Sequence, residues 1–179
     1  MTHEELHDFA VLDLMCALDE CDLLPGVPSA ATESLSRLRK SALRPDPGSE
    51  FVAVYRSTSL ISHNRDLKAL LVQSDANNAR LGISGVLLHY DSTFLQVLEG
   101  EEQVVRHLLE RIGRDPRHAG MDVIFTHNQY RRVFQDWSMA MINMTTEDFD
   151  SILTRLSGYG TSAKKVFSRM HPRASTVGL

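Results

Sequence analysis

Several side chains between residues 50 and 120 are of types that could do chemistry together. Tyr55 closes the apolar run Phe51-Val-Ala-Val-Tyr55. A buried phenol is neutral at pH 7 and can release an electron and a proton together. Gln96 stands between Leu95 and Val97 in an otherwise apolar stretch. Its amide offers an acceptor oxygen and two donor hydrogens, so turning it swaps what a neighbour meets. Strand alternation would let Gln96 face solvent; buried, it needs partners or costs about 1–3 kcal/mol. Asn77-Asn78 precedes Ala79-Arg80-Leu81-Gly82 and serves either as a helix-end cap and turn or as a pair of amides for a ligand. Arg111 and Asp115 lie one helical turn apart. They read as an i,i+4 ion pair or as a guanidinium free to hold a phosphate.

A metal reading comes from His3-Glu4-Glu5-Leu6-His7, a literal H-E-x-x-H string that on a helix places two zinc ligands beside a general base. A zinc hydrolase also needs a third ligand and a buried helix, whereas this string starts the chain, with a capping-box role for Thr2 and Glu5. Cys16 and Cys21 are five residues apart in a helical pattern and point to different faces, which suits reduced packing residues better than a disulfide or metal pair.

The elements that must position these groups follow from periodicity. Leu6, Phe9, Ala10, Val11, Leu14, Met15 and Leu18 predict an amphipathic helix to about Leu24, and Leu35, Leu38 and Ala42 a second, before the breaker Pro45-Asp-Pro-Gly48. Phe51–Tyr55 predicts a strand, and Asp66–Asn77 a helix with Leu67, Leu70, Leu71 and Ser74 on one side. Strands at Gly82–Tyr90 and Phe94–Leu98 form a hairpin around Asp91-Ser92, with Gly100 ending the second. Glu101–Gly113 is a helix facing the sheet through Val104, Val105, Leu108, Leu109 and Ile112, and Met121–Thr126 and Trp137–Ile142 are further strands. The order β-α-β-β-α-β plus one strand predicts an α+β, ferredoxin-like sandwich with both helices on one face. Thr145 or Thr146 caps a following helix closed by Gly158, and Thr161 caps a last one carrying Val166, Phe167 and Met170, before a tail from Pro172. We expect an N-terminal helical extension over 1–49, a central domain over 50–144 and C-terminal helices over 145–179.

Composition narrows the function classes. Hydrophobic residues at 42% and charged residues at 23% exclude disordered and collagen-like classes. No apolar stretch nears the roughly 20 residues that cross a bilayer, and Met1 to Glu5 shows no secretory start, so a cytoplasmic protein is expected. A net charge of −4 lacks the basic footprint of nucleic-acid binding. Residues 1–24 hold seven carboxylates and no Lys or Arg, while residues 151–179 hold five Lys and Arg and no acid. The two ends could attract each other within a chain or across a homo-oligomer, or form separate solvated faces.

Tyr55, Asn77-Asn78 ahead of Gly-Ile-Ser-Gly, Phe-Leu-Gln96-Val-Leu-Glu-Gly and Trp137-Ser-Met139, in this order and spacing, resemble the BLUF domain, a blue-light sensor that holds a flavin. The resemblance spans residues 50–144 and implies FAD, with FMN possible, standing edge-in between the two helices. It implies that Tyr55 and Gln96 are the light-active pair, that Asn78 binds the ring edge with Asn77 close by, and that Arg111, Asp115 and His118 serve the ribityl and phosphate end. Trp137 and Met139 match an element that passes the signal outward. Ser84 stands where many members have Thr, and the extension before the first strand is unusual. No recognisable effector enzyme remains outside this domain, so output through a protein partner or the chain's own oligomer is expected. A non-photochemical interaction module of the same fold is the competing expectation.

Overall fold

The computed structural model describes residues 50–129, 132–134, 137–159 and 166–168, together with Asp13, Leu14 and Ala17. Among the described residues the main elements follow in the order β1 (Glu50–Ser59), α1 (Asn64–Leu81), β2 (Ser84–Tyr90), β3 (Thr93–Gly100), α2 (Glu102–Ile112), β4 (His118–Gln129), β5 (Ala140–Asn143) and α3 (Thr146–Tyr159). They build one sheet in the order β4-β1-β3-β2-β5. β1 runs antiparallel to β3 and β4, β2 antiparallel to β3, and β2 parallel to the short β5. The expected α+β, ferredoxin-like sandwich is what forms.

Alternation sorts the strands onto two faces. Phe51, Ala53 and Tyr55 of β1 join Leu87, Phe94 and Leu98 beneath Leu67 of α1 and Val105 and Leu108 of α2. Their neighbours Val52 and Val54 join Leu95 and Val97 on the opposite face, covered by Phe149 and Ile152 of α3, by Val166 and Phe167, and by Leu14 and Ala17. Both faces are therefore buried, which explains why β2 and β3 read as near-continuous apolar runs. Part of the N-terminal extension thus docks on the chain's own sheet.

Turn chemistry sets the registers. Asp91 and Ser92 both take positive φ, 43° and 62°, as a tight hairpin with a right-handed twist requires. At the start of α3 the Thr145 hydroxyl accepts from the Asp148 N–H at 3.1 Å while the Asp148 carboxylate accepts from the Thr145 N–H at 2.8 Å, a reciprocal capping box.

Three expectations are corrected. α1 runs on to Leu81 and is closed by Gly82 at φ 64°, so Asn77 and Asn78 lie inside the helix and do not cap it. α3 continues through Gly158 to Tyr159. Trp137 and Met139 precede β5, because the Ser138 carbonyl between them is taken by the side chain of Asn78 rather than by a strand. His3, His7, Cys16, Cys21, the second N-terminal helix, Thr161, Met170 and the tail lie outside the described residues.

Candidate functional site

A cavity of about 200 Å³ opens between α1, α2 and the sheet. Tyr55, Asn77, Asn78, Gln96, Arg111, Asp115, His118 and Met139 all line it. Trp137 does not: it packs toward the other face of the sheet, with its ring 5.9 Å from that of Phe134.

The floor is built by register. Tyr55 on β1 and Gln96 on β3 are direct partners in the antiparallel ladder, which sets their side chains next to each other on one face. A bulge in β4 opposite Val54 and Tyr55 interrupts the β1–β4 pairing there. Both residues are buried, so alternation turns Gln96 inward, not to solvent. The Tyr55 hydroxyl donates to the amide oxygen of Gln96. The Gln96 amide nitrogen in turn donates to the Met139 sulfur at 3.5 Å. Tyr55, Gln96 and Met139 thus form a buried chain of donor and acceptor. Burial, with a contribution from the Asp115 charge, pushes the Tyr55 phenol well above its ordinary range, so it stays neutral.

One wall comes from α1. Asn78 is buried and donates to the Ser138 carbonyl at 2.8 Å, while the Ser138 hydroxyl donates to Asp75 at 2.5 Å. Asn77 sits one residue earlier, its side-chain oxygen 3.4 Å from Arg80. The facing wall is the α2–β4 connection. The expected Arg111–Asp115 pair does not form: Asp115 is held by Arg117, through two bonds from Nε at 2.9 and 3.0 Å, one from Nη2 at 2.5 Å and one from the backbone N–H at 2.9 Å. An Asp-Pro-Arg turn brings the fork two residues on, closer than a helical turn can. The Arg117 hydrogen bonds hold the Asp115 carboxyl below its usual range. Arg117 also donates through Nη1 to Gln73 at 2.8 Å, linking this connection to α1 across the cavity.

His118 opens β4 with its ring 6.5 Å from that of Tyr55. Its Nδ1 is buried without a hydrogen-bond partner, and burial lowers the imidazole pKa against the opposing pull of Asp115. A polar atom left orphaned in a cavity wall is what a ligand with a complementary edge would satisfy. The donor set suits a flavin: carboxamides and a guanidinium for ring carbonyls and N–H groups, with Leu70, Leu87, Leu108 and Ile112 as apolar walls for a flat heterocycle.

Sequence reasoning missed Arg117, Gln73 and Ser74 among the lining residues. Arg117 was legible in principle, as the Arg of Asp115-Pro-Arg117-His118. Among the described residues no group of three His, Cys, Asp or Glu could hold a metal, and no helix is long and apolar enough to cross a membrane.

Comparison with known proteins agrees with this geometry. Residues 51–140 match the family described as BLUF, sensors of blue light using FAD. The beta subunit of a photoactivated adenylate cyclase from Euglena gracilis is 35% identical over 118 residues, 63% of this chain and 14% of that protein. A blue light- and temperature-regulated antirepressor, BluF, from Escherichia coli (strain K12) is 28% identical over 113 residues, 59% of this chain and 28% of that protein. The chain therefore spans only a small part of these relatives. Among solved structures, the dark state of the BLUF protein BlrB is similar with TM-score 0.57 and 26% identity, covering 70% of this chain and 96% of that one. On the fold, the cavity and these matches, the chain belongs to the BLUF family of flavin-binding blue-light sensors.

Proposed function

We propose that residues 50–144 form a photosensor in which Tyr55 and Gln96 are the light-active pair and whose output passes to a protein partner or to the chain's own oligomer. The observation that carries this reading is the buried hydrogen-bond chain Tyr55–Gln96–Met139 along the floor of the cavity. Bound flavin supplies an electron acceptor when excited by blue light. Tyr55 is neutral and already hydrogen-bonded, so it can give up an electron with its proton toward Gln96. The Gln96 amide, which presents oxygen to Tyr55 and N–H to Met139, can return in the opposite hydrogen-bonded arrangement. The electron and proton then return to Tyr55, so no chemical product accumulates, and the changed hydrogen bond from Gln96 would shift the absorption of a bound flavin to the red. Such a change biases the output equilibrium only by its differential energy between two states.

The other lining residues would hold the cofactor. Asn78 spends one amide hydrogen on Ser138, leaving its oxygen and second hydrogen for the ring edge, with Asn77 beside it. Asp115 and His118, with Arg117, would hold the cofactor from the β4 side of the cavity. Arg111 lines both this cavity and a neighbouring one of about 570 Å³ that also carries Arg80 and His107, as well as Glu101. Arg111, shared by the two cavities, and Arg80 in the second offer guanidinium groups to phosphates, which favours a phosphate-bearing flavin, FAD first, over riboflavin. Titration of the apoprotein with riboflavin, FMN and FAD tests this, and equal affinities would refute it.

Met139 borders the cavity and Trp137 packs on the opposite face of the sheet, so a rearrangement at Gln96 would reach the helices through them. We place the sensor in the cytoplasm and assign it no enzymatic step of its own. Absorption spectra before and after blue light, in the wild type and in Gln96→Leu, test the photochemical reading. A colourless preparation that takes up no flavin would favour the interaction module.

A further inference from the structure

Glu99 is fully buried, and nothing in the photochemistry uses it. It lies three residues beyond Gln96 on β3, and this odd spacing sends its side chain to the opposite face, beside Leu95 and Val97 rather than into the cavity. There its two oxygens accept the backbone N–H groups of Val133 at 2.9 Å and Phe134 at 2.8 Å, with the Ser84 hydroxyl at 3.5 Å. A carboxylate on paired backbone amides is a charge-assisted contact, about twice as strong as a neutral one.

The chain held this way leads directly into the output residues. The Trp137 N–H donates to the Phe134 carbonyl at 3.0 Å, the Trp137 carbonyl accepts from Gly85 at 3.0 Å, and the Phe134 and Trp137 rings pack together. Met139 then meets the Gln96 amide. One short segment is thus tied to β3 twice: at its start by Glu99 on one face, and at its end by Gln96 on the other. The two ties are unequal. The Gln96 tie is an amide on a thioether, a weak acceptor, and it is lost when the amide turns its oxygen toward the sulfur. The Glu99 tie involves no group that the light reaction alters.

We infer that Glu99 is a positioning residue for the light response, the fixed pivot that holds residues 133–134 to β3 while the Trp137–Met139 segment shifts. This rests on the photosensor reading above and adds the point about which the segment moves. Without a fixed start, release at Met139 would let the whole segment slide and leave Trp137 without a defined second position.

Residue-resolved amide hydrogen exchange on the full chain, in the dark and under continuous blue light, tests the pivot without any substitution. The Val133 and Phe134 amides should keep their protection in both states, while the Trp137 amide exchanges about tenfold faster in the light. Light-accelerated exchange at Val133 and Phe134 equal to that at Trp137, or no change at Trp137, would overturn the inference. Variants supply a second arm. Glu99→Gln replaces one acceptor oxygen with an NH2 facing a donor, and should leave the size of the red shift unchanged while altering dark recovery about fivefold, the weight of one hydrogen bond. It should also weaken the light-induced change in the fluorescence of Trp137, the single Trp of the chain. Ile152→Val thins the same core face without touching the clamp, and should lower the Tm yet recover at the wild-type rate. Wild-type recovery in Glu99→Gln, or an equal change in Ile152→Val, would reduce Glu99 to an ordinary structural group. A wild-type chain that binds flavin but shows no red shift would instead remove the photosensor reading, and the pivot with it.

Discussion

Tyr55 and Gln96 are direct partners across the β1–β3 ladder, and the phenol of one donates to the amide oxygen of the other. Backbone pairing fixes their separation, so the contact does not depend on two mobile loops finding each other. Burial raises the Tyr55 pKa above its ordinary value of 10.0, and the neutral donor therefore survives to higher pH than a free tyrosine would. The amplitude of the light-induced red shift should be constant from about pH 7 to about pH 10, the ordinary phenol range. Loss of amplitude with a midpoint at or below about pH 10 would contradict the buried neutral phenol.

Arg117 is bonded to Asp115 on one side of the cavity and to Gln73 on the other. Arg117→Ala removes both contacts and strips Asp115 of its counter-charge. Charge-assisted hydrogen bonds contribute roughly 1.5–3 kcal/mol, so FAD affinity should fall about 10- to 100-fold in a fluorescence titration of the apoprotein. Unchanged affinity would show that the latch holds protein to protein and not the cofactor.

His118 gives a pH dependence in the opposite range. Its folded-state pKa lies below the ordinary 6.5, chiefly through burial, so between those two values the unfolded chain binds the extra proton. Stability is then fully present above pH 6.5 and falls as the pH drops toward the folded value. His118→Gln should flatten that part of the Tm-against-pH curve, and an identical slope in variant and wild type would assign the dependence to other groups.

Gly85 faces a different constraint. A Cβ placed there would sit 2.0 Å from the Val97 carbonyl oxygen, on the strand paired with it. Gly85→Ala must spread β2 from β3 near Gln96, costing about 3 kcal/mol or more and at least about 6 °C in Tm. Gly82→Ala meets no atom within 4 Å and carries only the left-handed φ, worth about 1–2 kcal/mol. Equal losses in the two variants would refute the close approach.

Much of this was legible in local pattern. Alternation in Phe51-Val-Ala-Val-Tyr55, the Asp91-Ser92 turn and the helical spacing of Val105 and Leu108 are short-range signals, and each produced the element it predicts. The readings that failed depended on distant partners. Asn78 reads as a cap because the helix-ending role of Gly82 and the Ser138 carbonyl, 60 residues away, compete for the same decision. Trp137 and Met139 read as strand for the same reason. The Arg111–Asp115 pair follows from helical spacing, yet the chain leaves the helix at Gly113 and the Asp-Pro turn supplies a nearer guanidinium. Sequence reasoning missed Glu99: it is a lone carboxylate in an apolar strand, and its partners lie 34 and 35 residues downstream in a segment with no periodic signature.

The central claim is that the Gln96 carboxamide, paired with the Tyr55 phenol, is the group light rearranges. Absorption spectra of flavin-loaded protein in the dark and after blue light, for the wild type and Gln96→Leu, test it most directly. The account predicts a small, reversible red shift in the wild type and none in Gln96→Leu, with flavin bound in both. A variant that binds flavin and shows the same reversible shift would contradict it.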